Sequence, residues 1–169
     1  MVVFLYFYFM SPQLITIQRK KVIGMKSSMH HNKFGNIAAL WKRFMPRQKE
    51  IGNKSNNELI ALQIYDDFKA MENPFNIWAC VEVSNFNTVP DGMAPFTILE
   101  GDYAVFLHKG MNASKTYQQI MTEWLPTSGY EIDNRPHFQV MGAKYINGSP
   151  NSEEDFYVPV KKKNLFIEN

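Results

Sequence analysis

The chain has 169 residues and 45% hydrophobic content, enough for one core, since a domain of this size buries roughly 70% of the surface its unfolded chain exposes. Its 18 basic and 16 acidic residues leave a net charge of +2, too balanced to give an electrostatic footprint for nucleic acid. A single cysteine, Cys80, excludes an intrachain disulfide and any Cys-based zinc pattern, and it fits a reducing, cytoplasmic setting.

Met1 to Met10 is almost wholly apolar and half aromatic. It falls far short of the ~20 residues a membrane helix needs and lacks the basic start and cleavage site of a signal peptide. Residues 1–11 therefore read as a lead, an extra edge strand or disordered chain, with no membrane partner expected. Residues 14–26 read as a strand with a bulge or bend at Gly24. Residues 34–45 read as an amphipathic helix: Phe34, Ile37, Leu40, Trp41, Phe44 and Met45 recur at three and four, Asn32 is the expected N-cap, and Pro46 ends it. Residues 59–66 alternate Ile60, Leu62 and Ile64 against Ala61, Gln63 and Tyr65, a strand expected to form a hairpin with 75–84. Two prolines and a glycine make 85–95 a loop.

The pattern then restarts. Residues 96–109 read as a strand, and 113–125 as a helix with Tyr117, Ile120, Met121 and Trp124 on one stripe, stopped by Pro126. Strands are expected at 137–145 and 155–161, and the basic run Lys161 to Lys163 reads as a solvated tail. The order βαββ occurs twice, and each helix carries a tryptophan near its C-terminal end followed by a proline: Trp41 with Pro46, Trp124 with Pro126. An internal duplication is the economical account. The predicted fold is α+β: two pseudo-symmetric βαββ repeats, about 14–85 and 95–161, within one domain spanning 12–163, followed by a tail at 164–169. They are expected to form a curved antiparallel sheet with two helices on one face and a ligand cleft on the other.

Four segments in order carry a resemblance: Gly101 to Gly110 (GDYAVFLHKG), Glu123 to Glu131 (EWLPTSGYE), Arg135 to Val140 (RPHFQV) and Phe156 to Lys161 (FYVPVK). With Val22-Ile23-Gly24, Leu40 to Phe44 and Trp78 to Val83, they resemble the GyrI-like family, also called the AraC-type effector-binding domain, over about residues 12 to 162. The resemblance implies two βαββ repeats with a cleft between them that takes small amphipathic or aromatic molecules, cationic ones included. It also implies sensor relatives fused to helix-turn-helix modules, some members that inhibit gyrase through a protein contact, and a branch of small-molecule hydrolases. The carboxylate that the family places at the cleft floor corresponds here to Gln139, whose amide donates and accepts hydrogen bonds but cannot neutralise a cation.

Glu82 alternates with Trp78 and Cys80 on one strand face and is the other carboxylate candidate, with a rim position as the competing reading. Tyr65, Trp78, Phe106 and Tyr157 are candidate aromatic walls, each weighed against ordinary core packing, and Trp124 is core or wall. The four histidines lack acidic partners at ligand spacing, so no metal is expected. There is no GxSxG, Walker loop or GxGxxG, and Cys80 reads as an inert buried thiol; no catalytic residue or cofactor is expected. The expected function is a stand-alone effector-binding or drug-binding domain for a small organic ligand. The alternatives are a protein-interaction module of the gyrase-inhibitor kind, whose partner is encoded elsewhere, and a hydrolase pairing Glu82 with Tyr157.

Overall fold

A computed structural model describes residues 11–30, 35–68 and 73–164; the apolar lead at Met1 to Met10, Asn32, Phe34 and most of the tail lie outside them. Repeat one comprises β1 (Gln13–Ile17), β2 (Lys20–Met29), α1 (Gly35–Phe44), β3 (Leu59–Ile64) and β4 (Phe75–Val83). Repeat two comprises β5 (Ala94–Ile98), β6 (Gly101–Lys109), α2 (Ala113–Gln119), a π turn (Ile120–Trp124), α3 (Leu125–Thr127), β7 (Tyr130–Ile132), β8 (His137–Met141) and β9 (Glu153–Lys162). The strands form one antiparallel sheet in the order β1-β6-β9-β8-β3-β4-β2-β5, with β7 added beside β9. Exchanging the repeats leaves that order unchanged, so a pseudo-twofold axis falls between β3 and β8. The predicted α+β architecture of two βαββ repeats is what forms.

The long strands predicted at 14–26 and 96–109 are each broken in two, at Gln18-Arg19 and at Leu99-Glu100. The first strand of each repeat belongs to the other repeat's sheet: β1 pairs with β6, and β5 pairs with β2. Ile17 faces Gly101 and Lys20 faces Ile98, so the register carries straight across the break. Past it the chains splay, β2 to pair with β4 and β6 to pair with β9, so backbone donors and acceptors on both sides find partners.

Two details let the strands pack this closely. Gly24 pairs with Cys80 on one side and Ala94 on the other, and a Cβ there would collide with the Ala79 carbonyl oxygen and with Cys80. Gly101, at φ +145°, leaves room for the Arg135 guanidinium. That group lies 4.6 Å over the Tyr103 ring, and it donates to Asp133 at 2.6 Å and to the Asp102 carbonyl at 2.7 Å.

The helices share one face. On α1, Leu40 and Phe44 bury against Ile23, Met25, Ile77 and Val81 of β2 and β4. Below α2 and the π turn, Ile120 buries against Phe106, Phe156 and Val158. The second helix runs past Pro126 to Thr127 instead of stopping at it. Proline lacks an N–H and crowds the carbonyl four residues back, and the helix widens to a π turn just ahead of it. The Thr127 hydroxyl donates to the Glu123 carbonyl at 3.2 Å, satisfying an acceptor at the widened turn.

Gly24→Ala is expected to destabilise the chain by about 1–3 kcal/mol, because the clash is with backbone. Gly52→Ala meets open space and leaves the urea midpoint unchanged; equal midpoints for the two variants would remove the close-approach role of Gly24.

Candidate functional site on the helix-bearing face

Strand alternation sorts the predicted site residues onto two faces. Trp78, Glu82 and Tyr157 point away from the helices. Trp78 and Tyr157 join a cluster with Val22, Leu62, Tyr103 and Phe138, of which these four are at most 1% exposed. Tyr157 stacks on Phe138 with centroids 4.4 Å apart. Glu82 sits at the edge of this cluster, paired with Lys20 at 2.9 Å. The face on which the sequence places the cleft thus carries a packed core, with Glu82 at its rim.

Tyr65, Phe106, Trp124 and Gln139 point towards the helices. Phe106 and Trp124 meet edge to face at 5.0 Å inside the core beneath α2. Gln139 is different. It pairs with Ala61 across the pseudo-twofold axis and with Phe156 on β9. Helix α1 lies over β2 and β4, while α2 sends Thr116 to His108 on β6. Between the helices, Ala61, Gln63 and Gln139 of the two central strands remain partly exposed. They make an uncovered strip of sheet floor between the two helices.

One end of the floor is closed by a hydrogen-bonded aromatic cluster that joins the repeats. The Tyr65 hydroxyl donates to Gln63 Oε1 at 3.0 Å, and Tyr65 also hydrogen-bonds Tyr117. Tyr117 in turn lies 2.8 Å from His137 Nδ1. The imidazole is 3% exposed, stacks on Phe68 at 4.8 Å and meets Tyr65 at 5.4 Å. Burial drives His137 down to about 3, raises Tyr65 to about 12 and raises Tyr117 as well. All three are therefore neutral at neutral pH, and among the described residues His137 Nε2 has no hydrogen-bond partner.

Glu154 shares this face, two residues from Phe156 on β9, where Phe156 and Val158 turn towards α2. Burial pushes its carboxyl up to about 7. Sequence reasoning passed over Glu154, Tyr117, His137 and Phe68. The alternation that links His137 to Gln139 and Glu154 to Phe156 was legible, but not which face would stay open. Cys80 is fully buried and its thiol is pushed up by burial alone. Among the described residues no cluster could hold a metal, and no helix is long and apolar enough to cross a membrane.

A pseudo-twofold sheet with both helices on one face defines the GyrI-like effector-binding fold. Three solved structures share it: SAV2435 bound to tetraphenylphosphonium (TM-score 0.70, 15% identity, 90% of this chain and 94% of that one), the EcmrR C-terminal domain (0.69, 16%, 90% and 98%) and an integron cassette protein from the mobile metagenome of Vibrio cholerae (0.66, 14%, 89% and 96%). The chain belongs to the Cass2 family, integron-associated effector binding proteins, which matches residues 13–160. It is also 32% identical over 128 residues to the transcriptional regulator BrlR of Pseudomonas aeruginosa, covering 73% of this chain and 46% of that relative. The chain thus spans about half the length of that regulator.

Because the folded His137 sits at about 3 against an ordinary 6.5, the unfolded chain takes up the proton first on acidification. Its contribution to stability is full above about pH 6.5 and is lost as the pH falls towards 3. His137→Gln should flatten this part of the stability–pH curve, removing a loss on the order of 4–5 kcal/mol; denaturant melts across that range check it.

Proposed function

We propose that this domain binds a lipophilic, aryl-bearing molecule in a groove between α1 and α2, with Ala61, Gln63 and Gln139 beneath it and Tyr65, Tyr117 and Phe68 along one end. The observation that carries the reading is the open centre of the sheet: polar, uncharged side chains on uncovered strands beside a neutral aromatic cluster. Such a surface orients a ligand by hydrogen bonds and holds it by stacking. The tetraphenylphosphonium on a neighbour of the same fold supports this ligand class. The domain would serve as the ligand-receiving part of a cytoplasmic, drug-sensing regulator of AraC type; of this, the BrlR relationship supports the link to a transcriptional regulator.

The test uses tetraphenylphosphonium and the neutral triphenylphosphine oxide, with thermal shift and calorimetry. Ligand at about 100 times its dissociation constant adds about 2.7 kcal/mol of stability. Gln139→Trp, which fills the floor, should abolish binding of both compounds. Trp78→Phe, on the opposite face, should leave it intact. Retained binding in Gln139→Trp, with loss in Trp78→Phe, would move the site to the other face and reject this reading.

A further inference from the structure

We infer that Glu154 is the residue through which this groove selects positively charged ligands, supplying from β9 the carboxylate that the β8 floor position, Gln139, lacks. The inference rests on the groove reading above and adds a specificity residue to it.

Gln139 pairs with Phe156, so Glu154 is its diagonal neighbour on the same face, and such neighbours lie about 7–8 Å apart. An organic cation resting over Gln139 is within the reach of a glutamate side chain at that spacing. The surroundings of Glu154 leave its charge unanswered. Across the ladder on β6 stands His108, whose imidazole is engaged by Thr116 at 2.8 Å and the Gly110 carbonyl at 3.1 Å. Burial lowers His108, so it offers no positive charge at neutral pH. From the β8–β9 connection comes the Tyr145 phenol, itself raised by burial and by Glu154.

The nearby lysines are taken by the preceding residue: Glu153 pairs with Lys144 at 3.1 Å and Lys109 at 3.7 Å. The next acid, Asp155, alternates to the opposite face with Tyr157. On α2, Lys115 makes no ion pair with Glu154 among the described residues, and burial raises the Glu154 carboxyl. A half-buried carboxylate without a cation is costly to ionise. A lipophilic cation with delocalised charge answers it without bringing a tightly held hydration shell.

The experiment measures affinities of tetraphenylphosphonium and triphenylphosphine oxide at about pH 5.5 and about pH 8.5 for the wild type, Glu154→Gln and Glu82→Gln. Glu154→Gln removes a desolvated charge and keeps the shape, so it should fold. The wild type should bind the cation about ten-fold more tightly at the higher pH, and the neutral oxide equally at both. Glu154→Gln should lose that about ten-fold gain and its pH dependence while keeping the oxide, and Glu82→Gln should match the wild type. If the cation binds Glu154→Gln as tightly as wild type, or if Glu82→Gln is the variant that loses it, the assignment of Glu154 is overturned. The groove reading then stands or falls separately on Gln139→Trp. If neither compound binds the wild type, both are overturned.

Discussion

The ladder shared by β1–β2 and β5–β6 is the constraint on which the rest of the structure depends. Each repeat alone would leave its first strand unpaired along a full edge, with a row of unsatisfied N–H and C=O groups. Exchange of β1 and β5 puts each on the partner repeat and keeps one register across both breaks. The exchange demands close approach at two points, which Gly24 and Gly101 permit, and Arg135 fastens the second of them across Tyr103. It also covers the helix-free side of the sheet, which is why Val22, Ile98 and Tyr103 there are fully buried.

With that side filled, the uncovered strands of the helix-bearing face lie between the helices. In the strand order, four inter-strand steps separate the centre of β6 and β9 from the centre of β4 and β2. At about 4.8 Å per step that is about 19 Å. Two helices about 10–12 Å in diameter resting on those pairs leave a gap of roughly 8 Å over β8 and β3, wide enough for an aromatic ring system. Large side chains from the flanks partly close it. Tyr65 from repeat one and Tyr117 from repeat two meet there, and His137 and Phe68 stack beneath and beside them. The groove is therefore a consequence of duplication: each repeat brings one helix, and the axis between them has none.

Much of this was legible in the residues. The three-and-four spacing of Leu40, Trp41 and Phe44 marks α1, and the Trp-Pro echo between the two helices marks the duplication. The alternation in Trp78, Cys80 and Glu82 sorts that strand correctly, since Ala79 and Val81 do lie under α1. What local pattern cannot encode is which strand of a βαββ unit pairs outside its own repeat. That choice, made by long-range hydrogen bonding, turned the helix-free face from a cleft into a core. Trp78 and Tyr157 went with it, Phe106 and Trp124 went beneath α2, and Gln139 and Tyr65 stayed beside the groove. The break at Leu99-Glu100 and the short strand β7 escaped notice for a related reason. Strand propensity runs through the first, and the second is three residues whose ladder partner is β9.

The charges of the groove follow from the same desolvation acting on different groups. Burial favours the neutral form of every titratable group, so His137 falls to about 3 and Tyr65 climbs to about 12. Neither costs anything at neutral pH, where both are already uncharged. Glu154 is raised only to about 7, which makes it the member of the set whose charge state is still undecided there. Its sign is opposite to that of His137: the folded chain holds the proton longer than the unfolded one, so its contribution to stability declines as the pH rises from the ordinary 4.5 through 7. Folding thus leaves a half-buried carboxylate that is costly to ionise, and on the proposed reading a ligand cation offsets that cost without any new contact to the aromatic walls. On the proposed reading, stacking sets which shapes fit, and the single carboxylate sets which charge is preferred.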